Sequence, residues 1–262
     1  MIKTALVTGS TSGIGKAFAE KLASEGCRLL LVSRDASKLS EQAAYLARTY
    51  NIKASCVPLD LSLPGAAQKV YDAVRELGLS VQILISNAGF NEAGAFLDTD
   101  MKKEREMIQL HAIFTTELMK LFVPDMVRDG YGRILNLGST GSFMPIPYDA
   151  VYAATKAYIL SVSRAIHAEL AGSGVSITTL CPGATNTEFA RKSGLENTLL
   201  FKLFVMEPAR VAEIGYHALM NRRATVIAGT YNKLLVFSSK FVPLFILNPI
   251  TMKMLKRGTL HK

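Results

Sequence analysis

Residues 4–15 read TALVTGSTSGIG, and the fold turns on how that stretch is taken. TALVT is a short apolar run that ends at glycine, as expected of a strand buried on both faces. Gly9, Gly13 and Gly15 then open a helical pattern that continues to about residue 25. Glycines at a strand-to-helix turn permit a tight bend and let the backbone approach a pyrophosphate closely, which the N–H groups of the helix start then stabilise. The spacing is G-x-x-x-G-x-G and not the commoner G-x-G-x-x-G. An ordinary glycine-rich turn is the plain alternative, but its position directly after the first strand favours a nucleotide.

Outward from this turn, apolar runs alternate with longer helical patterns. Strands are expected at 4–8, 28–33, 54–59, 81–86, 133–138, 175–181 and 224–228, with helices near 14–25, 37–50, 64–77, 101–128, 152–171 and 208–221. Gly26 and Gly78 stand where left-handed helix caps are wanted, and Pro64 and Pro208 near helix starts. Strands this apolar call for helices on both faces of a parallel sheet. The chain therefore reads as α/β, a single doubly wound parallel sheet of about seven strands forming one domain over residues 1–262. Hydrophobic residues make up 49% and charged residues 19% of the 262, enough for a large core and unlike a disordered chain. Cys27, Cys56 and Cys181 follow no metal or redox spacing and read as buried, reduced thiols. No metal site is expected. The N-terminus enters a strand without a signal-like segment, so a cytoplasmic location is expected. The net charge of +9 is spread along the chain without a nucleic-acid-binding motif, so no nucleic-acid partner is expected.

In a sheet of this kind ligands sit outside the carboxyl ends of the strands. The second strand ends at Ser33-Arg34, where a carboxylate would suit the ribose 2′-hydroxyl of NAD and a cation the 2′-phosphate of NADP. Asp35 follows and weakens this reading, since it could pair with Arg34. Asp60-Leu61 follows the third strand, Asn87-Ala88-Gly89 the fourth, Ser139 the fifth, and Pro182-Gly183 with Thr185 and Thr187 the sixth. Tyr152 and Lys156 stand four apart and so share one face of a helix. A cation beside a phenol favours the phenolate and brings its proton exchange toward neutral pH. Taken alone, such a pair is as well explained by chance on a surface helix.

Gly9-x-x-x-Gly13-x-Gly15, Asn87-Ala88-Gly89, Ser139, Tyr152-x-x-x-Lys156 and Pro182-Gly183, in this order over residues 3–190, resemble the short-chain dehydrogenase/reductase family. The resemblance implies an NADP(H)-dependent enzyme that interconverts a ketone and a secondary alcohol. It implies that Tyr152 is the general acid, that Lys156 lowers the tyrosine pKa and binds the nicotinamide ribose, and that Ser139 polarises the substrate oxygen. It implies cofactor contacts from Gly9, Ser10, Thr11, Ser12, Gly13, Ile14 and Gly15, from Ser33 and Arg34, from Asp60 and Leu61, and from Asn87, Ala88 and Gly89. Tyr152 and Lys156, Pro182 and Gly183, and Thr185 and Thr187 complete that set. One position departs from the pattern: where the family usually places an asparagine that holds a relay water, this chain has His111. Either the imidazole is a tolerated polar substitute, or it alters proton supply because histidine titrates near neutrality.

A catalytically weak nucleotide-binding regulator of the same fold is the alternative function. Intact Ser139, Tyr152 and Lys156 speak against it. Residues 143–148 and the segment 189–206, which reads LENTLLFKLFVMEP toward its end, are expected to bound the substrate. So much apolar sequence suits a bulky apolar ketone such as a steroid or a long-chain acyl ketone, or else a short helix packed on the C-terminal part. The extension 231–262 joins an apolar run at 234–247, too short to span a bilayer, to Lys253, Lys256 and Arg257. It is a candidate for peripheral membrane contact, for packing over the substrate, or for the interface of a homodimer or homotetramer.

Overall fold

The computed structural model describes residues 2–193, 198 and 205–255. Its centre is a seven-stranded parallel sheet of order β3-β2-β1-β4-β5-β6-β7. The strands are β1 (Thr4–Thr8), β2 (Arg28–Ser33), β3 (Ala54–Pro58), β4 (Ile83–Ser86), β5 (Gly132–Leu137), β6 (Val175–Cys181) and β7 (Thr225–Ile227). The expected strands all form, with ends displaced by a residue or two. The order reverses between β1 and β4, which leaves a crevice beyond their carboxyl ends.

Alternation along the strands builds two cores. Ala5, Val7, Leu29, Leu31 and Ile85 face one side with Phe18 and Leu22 of α1 (Gly13–Ser24), Leu39 and Leu46 of α2 (Ala36–Tyr50), and Val211 and Leu219 of α8 (Pro208–Met220). Leu6, Leu30, Leu84, Ile134 and Ile177 face the other side with Val70 of α3 (Ala66–Glu76) and Phe114, Leu118 and Phe122 around α5 (Thr115–Arg128). Gly26 and Gly78 adopt positive φ at the ends of α1 and α3, as left-handed caps. Cys27 and Cys181 are buried free thiols, while Cys56 is only half-buried.

Three features depart from the sequence reading. The helix expected at 101–128 is divided into α4 (Met101–Ile108), a π-helical turn over Gln109–Phe114, and α5. Ser139 starts a 3-10 turn over Thr140–Phe143, ahead of α6 (Ala150–Glu169). After the short α7 (Glu188–Lys192) and α8, the apolar extension forms two helices, α9 (Thr230–Ser239) and α10 (Leu244–Leu255).

Candidate active site

The glycine turn is built for close approach. Gly9 and Gly13 have φ of 64° and 53°, a region that side chains with a Cβ rarely adopt. A Cβ on Gly15 would overlap the Gly9 carbonyl oxygen and Asn87 Nδ2, and a Cβ on Gly13 would fall 2.9 Å from Thr187 Cγ2. Asn87 ties the ends of β4 and β1 together: its Nδ2 donates to the carbonyls of Thr8 (3.0 Å) and Gly9 (3.1 Å). The backbone N–H groups of Asn87 and Ala88 both donate to Thr8 Oγ1. Thr187 thus packs against Gly13 and Asn87 against Gly9 and Gly15, while at the start of α1 Ser12 is exposed and Ile14 half-buried.

At the end of β2, Thr11 Oγ1 and Ser33 Oγ are hydrogen-bonded at 2.9 Å. Arg34, 71% exposed, stands 3.9 Å from Asp60. Partial burial pushes the Asp60 carboxyl up, but the Ser62 hydroxyl and amide, together with Arg34, hold it below its ordinary value. Asp35 does not claim Arg34; it caps α2 by accepting from the Lys38 amide at 3.1 Å. Two expected cofactor residues turn their side chains inward. Ser10 is fully buried with its carbonyl accepting from Gln42, and Leu61 is 4% exposed in the core.

Tyr152 and Lys156 lie one turn apart near the start of α6, as the spacing requires, with Nζ 5.6 Å from the phenol ring centroid. Lys156 is buried, donates to the Leu137 carbonyl at 2.8 Å, and is pushed down to about 8 by that burial. The Tyr152 phenol is pushed above its ordinary value by burial and by the Asp149 carboxyl; a hydrogen bond with Ser139 acts in the opposite direction. The Ser139 hydroxyl also accepts from the Gly141 amide at 3.1 Å, which fixes it at the head of the 3-10 turn. His111 reaches in from the π-helical turn, edge-on to the Tyr152 ring at 5.9 Å. Its Nδ1 lies 2.9 Å from Thr155 Oγ1, which spends its own proton on the Tyr152 carbonyl at 2.7 Å. Nδ1 is therefore the protonated nitrogen, and Nε2 is a buried acceptor beside Gly89 without a partner among the described residues. Burial, and then Lys156, push the imidazole well below its usual value.

With these groups gathered at the strand ends, the chain can be set beside known proteins. The family model for short chain dehydrogenases matches residues 3–198. The chain belongs to that family. It is 31% identical over 196 residues to the very-long-chain 3-oxoacyl-CoA reductase of Mus musculus, a match covering 71% of this chain and 61% of the mouse protein. It thus spans about three-fifths of the length of such reductases. A Staphylococcus epidermidis oxidoreductase is 31% identical over 185 residues, 71% of this chain and 79% of that protein. Among solved structures, a Sphingobium yanoikuyae short-chain dehydrogenase in complex with NADPH superposes with a TM-score of 0.81 at 30% identity, covering 92% of this chain and 95% of the other. The bulky-bulky ketone specific alcohol dehydrogenase of Comamonas testosteroni superposes with a TM-score of 0.77 at 27% identity, over 92% and 93% of the two chains.

In this short-chain dehydrogenase several residues near the site escape a motif search. Asp149, three residues before Tyr152, is 6% exposed and is pushed up to about 7 by burial, against the opposing influence of the Asn91 side chain. Phe90 and Phe189 pack near His111 and Tyr152 at 6.4 and 5.8 Å between ring centroids. Asn232 of α9 fills the space against Gly183 and donates to the Ala228 carbonyl at 2.7 Å. Phe143 stacks beneath Arg164 at 5.6 Å, so this part of the expected substrate-facing loop already has a partner. Thr185 pairs with Met206 beyond Pro182-Gly183. Of the expected substrate loop 189–206, residues 194–197 and 199–204 lie outside the described residues, as do Lys256 and Arg257.

Proposed function

We propose that this protein is an NADP(H)-dependent oxidoreductase that interconverts a bulky apolar ketone and its secondary alcohol. The observation that carries the reading is the meeting of Ser139, Tyr152 and Lys156 at the strand ends beside a glycine turn too tight for side chains. That turn fits a dinucleotide: Gly9, Gly13 and Gly15 let the chain close tightly against Asn87 and Thr187, and the N-terminus of α1 that follows would take the pyrophosphate. The NADPH of the Sphingobium structure supports the choice of cofactor. Arg34 is assigned to the 2′-phosphate, because it is exposed and its one ion pair among the described residues is a long contact to Asp60. A nicotinamide bound there supplies the hydride.

The chain's own part is placement and proton transfer. Tyr152 holds its proton firmly and gives it to the carbonyl oxygen as that oxygen gains charge; Ser139 donates a hydrogen bond to the same oxygen. Lys156 steadies the developing phenolate and takes the ribose hydroxyls. His111 offers Nε2 as an acceptor to a relay water. Phe90, Phe189 and the segment 189–206 are assigned to the substrate, and an apolar wall of this kind leaves a carboxylate without a partner. The ketone named for the Comamonas enzyme and the acyl substrates named for the mammalian reductases agree with that class.

The test is NADPH oxidation with a steroid ketone, a long-chain acyl ketone and a small polar ketoacid. Higher kcat/KM for one of the first two is expected, and preference for the ketoacid would overturn the substrate class. Arg34→Ala should raise KM for NADP about tenfold while leaving that for NAD nearly unchanged. Equal use of both cofactors by the unaltered enzyme would remove the basis for NADP.

A further inference from the structure

The two C-terminal helices present an apolar face that the rest of the described chain does not cover. Leu234, Phe237, Phe241, Leu244, Phe245 and Ile250 are large side chains between 51% (Ile250) and 78% (Phe245) exposed. Leu234, Phe237 and Phe241 follow one another at helical spacing, and the last two rings pack at 5.1 Å. On the opposite side of α9, Asn232 and Val236 are buried, so the helix is anchored and the exposed face is not a frayed end.

The charge along this segment has one sign. After Glu213 the sequence contains no Asp or Glu, while Lys233, Lys240 and Lys253 are exposed on or beside α9 and α10. None of these three lysines forms an ion pair with a described residue. Lys256 and Arg257 follow in sequence. Aromatic and aliphatic side chains next to unpaired cations match the boundary between acyl chains and anionic headgroups. A second copy of the chain matches less well. Pairing this face with itself would bring its lysines toward one another with no carboxylate from the segment to offset them. Neither helix is long and apolar enough to cross a bilayer.

We propose that α9 and α10 form a docking surface for an anionic membrane, on which the protein lies with Phe237, Phe241 and Phe245 at the acyl boundary and the lysines among the headgroups. The exposed face lies on the side of α9 away from Asn232 and Val236, and the test reads binding and not turnover. Full-length protein is floated with phosphatidylcholine vesicles with and without phosphatidylglycerol. Partition onto the anionic vesicles is expected to be at least about tenfold stronger, and to fall when salt near 0.5 M shortens the screening length to a few Å. Phe241→Glu/Phe245→Glu should abolish flotation with an unchanged circular dichroism spectrum. Lys233→Glu/Lys240→Glu, which leaves the apolar face intact, should remove the preference for anionic vesicles. Failure of the unaltered protein to float with anionic vesicles would overturn the proposal. So would a Phe241→Glu/Phe245→Glu protein that floats as before but sediments as a smaller species, which would make the face a subunit contact.

Discussion

Asp149 and His111 owe their chemistry to enclosure. The Asp149 carboxyl is faced by the Asn91 amide from the loop after β4 and by the Tyr152 phenol on its own helix, and its Oδ1 has no hydrogen-bond partner among the described residues. The folded chain holds this proton up to about pH 7, whereas the unfolded chain releases it near 3.8. Between those values the native state binds more protons than the unfolded one, so stability falls as pH rises and levels off above 7. Asp149→Asn removes that loss: its melting temperature relative to the unaltered protein should be more favourable at pH 8 than at pH 5. The same change takes a negative charge away from the phenol, so the limb on which alcohol oxidation rises with pH should move to lower pH. Thermal melts across pH and a pH–rate profile check the two effects separately. Burial and Lys156 hold the His111 imidazole well below its usual value, which favours its neutral form near pH 7. His111→Asn should then retain comparable kcat with no change in the pH profile near neutrality; a loss beyond about tenfold would mean that the Nε2 acceptor itself is required. Tyr152→Phe should lower kcat by about two to four orders of magnitude with NADPH binding unchanged, as read from the fluorescence of the cofactor.

At the scale of elements, the turn between β1 and α1 and the break between α4 and α5 place the chemistry. Gly15→Ala would press a methyl group into the Gly9 carbonyl and the Asn87 amide, both of which hold β1 to β4. It should weaken NADPH binding more than tenfold and lower the melting temperature, since the obstructing atoms are backbone or tightly bound. Gly78→Ala makes a useful contrast: nothing lies within reach of its Cβ, and only the left-handed φ of 62° is opposed. It should cost about 1 kcal/mol and leave cofactor binding alone. Calorimetry and a fluorescence titration on both variants distinguish the cases. The glycine turn was legible because its spacing and its place after a strand are both properties of the sequence. The π-helical turn was not. A π turn shifts the hydrogen-bond register by one residue, and the apolar pattern of 101–128 still reads as one continuous helix.

For the whole molecule, one sheet separates two apolar layers, and each layer leans on the same strands. Phe18 in one layer and Phe114 in the other are almost wholly buried. Phe18→Ala and Phe114→Ala should each cost about 3–5 kcal/mol. If the chain is one domain, both variants should unfold in a single transition with coincident far-ultraviolet and tyrosine signals. A loss confined to one signal would divide the molecule into independent parts.

The sequence by itself determined the strands, the parallel sheet, the glycine turn and the placing of Tyr152 and Lys156 on one helical face, because each follows from local periodicity, turn stereochemistry or a fixed spacing. It also carried the motif order that marks the family. Only the tertiary structure decided which way the groups titrate. The sequence reading made Lys156 the neighbour that draws the phenol down. In the fold Lys156 gives a hydrogen bond to Leu137, and burial together with Asp149 holds the phenol up. It likewise decided that His111 is neutral, that Arg34 meets Asp60 and not Asp35, and that the apolar extension shows its face outward. Desolvation and charge pairing depend on every element that closes around a group, and those elements come from β4, β5, α6 and α9, far apart along the chain.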